Sequence, residues 1–416
     1  MTTRGRHGLD GRPHGLRGNL LVALLIVPLL VGTAAAAPVR GASLLVRTDA
    51  GAISGGHWSS TPPQRDEQPG ARAFPAVTFD VTGTLGVVYG GEGPGGAALN
   101  DTFANDGDFP GEWSGFSDHV VGTPPPLIGA TIVYDRPDSV FVMFGGVFAN
   151  HSASGETWEL RNLTNWVEVP SSSGGPPAHA GAVLTYDAAD GYVVLYDPAG
   201  NGSTWKFLGG AWSLLPTSTS PLARTGPVFA YDPAERAVLL FGGASATGPR
   251  NDSWEFAAGQ WRELPGAEPT PPASAAPVGT FDPRTAGVVV YEGDAGGVTF
   301  EFAGGHWTAL SAGGSGSPPA RIGAGFYFDS IVDYAILFGG EAVANATVVS
   351  DVWGWNVPPP TVDPTVTPSA FPPEEVGLLA AAVAIPVVVA WWLRRRPPRK
   401  LPVSAPQSAA SAAPGG

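Results

Sequence analysis

Cysteine is absent from all 416 residues. No disulfide framework, thiolate metal site or cysteine nucleophile is therefore possible, although the absence does not by itself place the chain in a reducing compartment. Positive charge is scarce away from the two ends: residues 38–375 hold 13 Lys and Arg against 35 Asp and Glu. So acidic a segment disfavours nucleic acid and anionic lipid as partners and favours solubility, without bearing on the fold. Nothing in the middle of the chain requires a long helix. What abounds is Gly (58), Pro (43) and Trp (13), which suits many short strands, tight turns and a large aromatic core.

The pattern is clearest from Ala223 to Leu264. Arg224 and Gly226 precede an apolar strand, Val228 to Tyr231, that ends at Asp232-Pro233, a turn-initiating pair. Val238 to Phe241 follows and is stopped by Gly242-Gly243, where the exit needs unusual backbone angles. Trp254 to Phe256 and then Trp261 to Leu264, separated by Gly259, complete four strands. An aromatic-Asp pair ends the first strand six times, at Asp80, Asp135, Asp187, Asp232, Asp282 and Asp329, with a period of 45 to 55 residues. Gly-Gly closes the second strand at residues 90–91, 145–146, 242–243 and 339–340, whereas Asp197-Pro198 and Glu292-Gly293 stand there in the third and fifth copies. Phe103, Trp158, Trp205, Trp254, Phe300 and Trp353 mark the third strand, and Trp113, Trp166, Trp212, Trp261 and Trp307 the fourth.

These landmarks, in register over roughly 300 residues at a period near ~50, resemble the kelch repeat family. The resemblance implies an all-β fold, a six-bladed β-propeller of four-stranded blades around a central channel. The physical argument agrees, because one such sheet cannot bury both faces alone and ring closure lets each blade cover its neighbour. The sixth copy lacks its last Trp. Conversely, Trp58 precedes Asp80 by 22 residues, as the fourth-strand Trp residues precede their next Asp by 20 to 22. Residues around Gly56 to Ser60 are thus expected to pair with the strand containing Trp353 and close the ring.

The ends read differently. Residues 1–37 carry Arg4, Arg6, Arg12 and Arg17, then the apolar run Leu20 to Val31 and Ala34 to Ala37, the pattern of a signal peptide or, as the rival, an uncleaved N-terminal anchor. The propeller occupies 38–357, and Pro-rich 358–375 reads as an extended stalk. Residues 376–393 form an uncharged run ending near Trp391 and Trp392, long enough for a transmembrane helix. Arg394, Arg395, Arg396, Arg399 and Lys400 mark 394–416 as a basic cytoplasmic tail, leaving the propeller extracellular at the cell membrane.

No cofactor is expected. The propeller family includes a copper oxidase whose site needs a Tyr-Cys crosslink, excluded here. Sialidase-type propellers place an Asp five residues before the third-strand aromatic, where Ala153, Gly200 and Pro249 stand. His57 and His306, in matching Gly-Gly-His-Trp segments, read as equivalent surface positions of the repeat. The repeated Asp reads as a turn residue bonding its own backbone. Asn105, Asp106, Gly107 and Asp108 fit no full calcium loop. Six Asn-x-Ser/Thr triplets, at Asn100, Asn150, Asn162, Asn201, Asn251 and Asn345, are candidate glycosylation acceptors, three of them in part explained by the repeat's own taste for Asn before the third strand. Glu92, Asp197, Glu292 and Glu341, within two residues of second-strand ends, are expected to form an acidic rim that could bind a cation or a basic partner. The function expected is binding or adhesion, to an extracellular protein, glycan or surface polymer, with the membrane held by the C-terminal helix. A structural envelope component, or an enzyme with a site on the loops, is the alternative.

Overall fold

The structure, a computed structural model, describes residues 56–61, 68–80, 85–105, 113–115, 120–170, 174–198, 202–266 and 269–357. The leader, stalk, membrane span and tail expected from sequence, with Asp106 to Asp108 and Asn201, lie outside the described residues. No helix among the described residues is long and apolar enough to cross a membrane.

Six four-stranded antiparallel sheets form among the described residues, in a propeller-like arrangement. Blade one runs through Ala76–Asp80, Leu85–Gly93, Ala97–Asn105 and Trp113–Gly115; blade two through Thr131–Asp135, Val140–Phe144, Thr157–Arg161 and Asn165–Val169. Blade three comprises Val183–Asp187, Tyr192–Asp197, Ser203–Leu208 and Ala211–Leu215; blade four Val228–Asp232, Ala237–Phe241, Ser253–Ala257 and Gln260–Glu263. Blade five takes Val278–Asp282, Gly287–Glu292, Val298–Ala303 and His306–Ser311. Blade six joins Gly325–Asp329, Tyr334–Phe338 and Val352–Asn356 to His57–Thr61, from the other end of the chain. Each inner strand packs beside the next, and that of blade six beside that of blade one, so the six make a closed ring.

The sequence dictates this packing through its second strands. Val140–Phe144, Ala237–Phe241 and Gly287–Glu292 are buried at every position, because a blade is covered on both faces and has no reason to alternate. The core therefore lies between blades: Val194 and Tyr196 of blade three, for example, pack with Val238, Leu240, Phe256 and Trp261 around blade four.

Outer-strand tryptophans clasp adjacent blades. Buried indole N–H groups need a partner, and each finds a hydroxyl on the third strand of the preceding blade. Trp166 donates to Thr102 (3.2 Å), Trp212 to Thr157 (2.8 Å), Trp261 to Thr204 (2.8 Å) and Trp307 to Ser253 (3.0 Å). Trp58 completes the series, donating to Thr299 at 2.9 Å. It pairs opposite Trp355, with Ser60 opposite Trp353, and its ring meets Tyr291 edge-on at 5.6 Å. The closing strand is thus where the spacing placed it.

The repeated Asp acts inside its own hairpin. Asp187 accepts from the N–H groups of Ala189 and Asp190, Asp232 from Ala234 and Glu235, and Asp329 from Ile331 and Val332. Burial raises these three carboxyls, and burial with the neighbouring Asp138 pushes Asp135 up to about 6. The cost of burying them is met by the turn they hold shut.

Candidate functional site

The inner strands surround an axial channel made of two vestibules. Val77, Ile132, Leu184, Phe229, Gly279 and Phe326, one from each blade, line both and form an apolar waist between them. Because each inner strand runs from its linking arm toward its hairpin turn, one vestibule opens among the arms and the other among the turns.

The arm-side vestibule, about 540 Å³, is walled by the small residues that begin the inner strands, including Gly129, Gly181, Gly226 and Gly323. Glycine is required at Gly181, where φ is +77° and a Cβ would lie 2.6 Å from Thr225. Glu92 and His151 bring the polar chemistry to this end. The turn-side vestibule, about 490 Å³, is ringed by one aromatic from each aromatic-Asp pair: Phe79, Tyr134, Tyr186, Tyr231, Phe281 and Phe328. Three consecutive blades thus supply tyrosine, and the other three supply phenylalanine. Burial raises the Tyr186 phenol, with Asp135 of the preceding blade adding to it. Burial raises Tyr231 in the same way, beside Asp187. Both stay protonated and able to donate at any physiological pH.

The acidic rim is not assembled as expected. Asp197 and Glu292 have no exposed surface, while Glu92 and Glu341 are half-buried. The reason is that the second strand in blades three and five does not stop at the expected bend. Asp197 pairs with Ser203 and Glu292 with Val298 inside the sheet, and their side chains enter the space between blades. Neither Glu292 oxygen has a hydrogen-bond partner among the described residues; burial, and then Asp294, push its carboxyl up to about 8. Glu92 and Glu341 instead follow Gly-Gly bends and pair with their own arms, at Ala73 and Ile322.

Three arginines fasten those bends. Arg72, Arg224 and Arg321 are buried, and each forms a two-pronged pair with a carboxylate, Asp101 within the third strand of blade one, Asp252 and Asp351 just before the third strands of blades four and six. Each also donates to the carbonyl of the first glycine of its pair, Gly90, Gly242 or Gly339. Burial opposes charge at Asp252, yet the hydrogen bonds from Arg224 and Trp254 prevail and hold it near 2. Sequence reasoning missed this brace, although its signal was present: in all three copies Arg lies 18 residues before the glycine it binds. His57 and His306 are exposed at equivalent outer-strand positions.

Of the glycosylation candidates, Asn100, Asn150, Asn162, Asn251 and Asn345 are exposed. No family model matches the chain, and no curated protein matches it. Among solved structures it is similar to YjhT, a kelch-repeat propeller protein, with 13% sequence identity and a TM-score of 0.50 over 69% of this chain and 95% of that one. At that identity the likeness shows a kelch-type propeller fold and no more.

Proposed function

We propose that the chain is a membrane-anchored, cell-surface kelch-like propeller that works as a binding module, and that its ligand is a surface glycan seated in the turn-side vestibule. The observation that supports this reading is the ring of aromatics at that mouth, in which Tyr134, Tyr186, Tyr231 and Phe281 keep exposed surface while Phe79 and Phe328 are buried. Aromatic faces accept the C–H side of a sugar ring, and phenols can donate and accept at its hydroxyls. A cavity of about 490 Å³ suits a short oligosaccharide segment better than a folded partner.

The chain's ends support the anchored part of the proposal. The first described strand begins, and the last one ends, at the turn side, with His57 paired to Asn356. A stalk leaving after Val357 would turn the aromatic mouth toward the membrane, so the glycan it meets belongs to the cell's own envelope.

The test is titration calorimetry of the full chain in detergent with glycan fragments released from that envelope. Replacing Tyr186 and Tyr231 together by Phe keeps the packing and removes two hydroxyls, which should weaken binding by about tenfold or more with little change in melting temperature. Unchanged affinity in this double variant, or a captured ligand without sugar, rejects the proposal.

A further inference from the structure

The six Asn-x-Ser/Thr triplets look alike in sequence, but the fold uses differently the five whose Asn lies among the described residues. In Asn100-Asp101-Thr102 the middle residue is the carboxylate of the Arg72 brace, and Thr102, 3% exposed, receives the indole N–H of Trp166. In Asn251-Asp252-Ser253 the middle residue pairs with Arg224, and Ser253, 8% exposed, receives Trp307. Both hydroxyls are spent on holding neighbouring blades together. These two triplets are by-products of the repeat.

Asn150-His151-Ser152 and Asn345-Ala346-Thr347 are exposed at all three positions. In each, the hydroxyl and the N–H of the third residue both donate to the Asn carboxamide oxygen: 2.6 and 3.0 Å for Ser152, 2.7 and 3.3 Å for Thr347. Both sit in small excursions beyond the Gly-Gly bends, held by short ladders and turn hydrogen bonds such as Ala342 opposite Thr347, Val147 opposite Ala153 and the Phe148 N–H donated to the Ser152 carbonyl. Such excursions open without disturbing a blade. Asn162 is exposed too, but it occupies the hairpin between Arg161 and Asn165, whose ladder carries the buried Trp166. Opening it means opening blade two.

We infer that Asn150 and Asn345 are N-glycosylation sites of the folded chain, whereas Asn100, Asn162 and Asn251 are closed to a transferase once the ring has formed. The co-reactant is a lipid-linked oligosaccharide diphosphate. The Asn Nδ2 bonds to the anomeric carbon, the bond from that carbon to the diphosphate oxygen breaks, the lipid diphosphate leaves, and one amide proton passes to a base of the transferase. Both sites lie on the arm side, away from the aromatic mouth, so glycans there would leave the proposed ligand site clear.

The inference rests on the chain being exported, but its test does not. Full-length protein made without glycosylation is incubated with a single-subunit oligosaccharyltransferase and its lipid-linked donor. Rates at each Asn are read by peptide mass spectrometry and divided by the rate for a free peptide of the same triplet, which removes the effect of the middle residue. Asn150 and Asn345 should keep their peptide rates to within about threefold, while Asn100, Asn162 and Asn251 should be slowed by about tenfold or more. Equal slowing at all five, or a ratio at Asn100 or Asn251 matching that at Asn150, overturns it. Protease accessibility on intact cells tests export separately.

Discussion

Blades four and six and blades three and five end the second strand in opposite ways. In four and six, Gly-Gly bends with φ of +69° and +87°, or +66° and +102°, throw the chain outward into a small hairpin that pairs with its own arm, and a buried Arg bolts the bend down. In three and five the strand runs one pair further and turns back at once, leaving Asp197 or Glu292 between blades. Ser274 occupies in blade five the place that Arg224 holds in blade four, so there the bolt and the bend are both gone. The difference teaches that the Arg brace needs the Gly-Gly bend, although the bend can stand without it: blade two keeps Gly145-Gly146 at positive φ with a buried Leu127 at the arginine's place. A blade that loses the glycines has no exposed carbonyl for an Arg to hold, and the space is free for an acidic side chain.

The sharpest way to break this comparison is Arg224→Met. It removes the two-pronged pair from Asp252, which keeps only Trp254 and the longer contact with Arg250, and leaves the Gly242 carbonyl without its buried donor, and chemical denaturation should show a loss of about 3–5 kcal/mol. Ser274→Ala at the matching place in blade five should cost only about 1 kcal/mol, the loss of one hydrogen bond to Asp294. Equal effects would mean that the brace is ornamental. Next comes the clasp that each braced blade makes on its unbraced predecessor. Trp58→Ala and Trp261→Ala should each cost roughly 3–5 kcal/mol, because Trp58 donates to Thr299 of blade five as Trp261 does to Thr204 of blade three. If Trp58→Ala melts at the wild-type temperature while Trp261→Ala does not, the closing strand adds nothing to the ring.

Smaller effects refine the contrast. Gly242→Ala should lose about 1–3 kcal/mol, since its φ is +69° and a Cβ would sit 2.9 Å from Pro277. At the equivalent place in blade five the effect reverses with pH. The folded Glu292 carboxyl, raised from 4.5 to about 8 by burial and then Asp294, holds a proton that the unfolded chain has released between those values. Its neutral form is therefore tolerated in full below about pH 4.5, and stability drains as pH rises toward 8, by up to about 1.4 kcal/mol per pH unit. Glu292→Gln should flatten that slope and melt higher than the wild type at pH 8. An unchanged slope would show that Glu292 ionises freely in the fold.

The blades, their register and the closing strand were legible because each rests on a residue type with few alternatives: Trp in the clasp, Gly at positive φ, Asp in the turn. The aromatic ring of the turn-side vestibule was equally visible as six aromatic-Asp pairs, but nothing local says that these residues face one mouth. That follows from ring closure. Asp197 and Glu292 misled for the opposite reason: carboxylates at a strand end read as exposed unless the end itself is known to move. The Arg brace escaped because its partners lie 18 and 28 to 30 residues away, beyond any window set by strand periodicity.

The closing strand also sets an order of events. Ser59 is bonded to Gly354 across 295 residues, and closing so long a loop costs about 5 kcal/mol in chain entropy before any contact repays it. The strand bearing Trp58 leaves the ribosome first among the blades and finds its partner last. Until Val352–Asn356 is made it has no sheet to join, and a chain halted earlier carries an unpaired edge at its head and an open ring at its tail, both of them templates for another copy. The ring therefore cannot close until the last strand of the propeller, Val352–Asn356, has been made and paired with His57–Thr61.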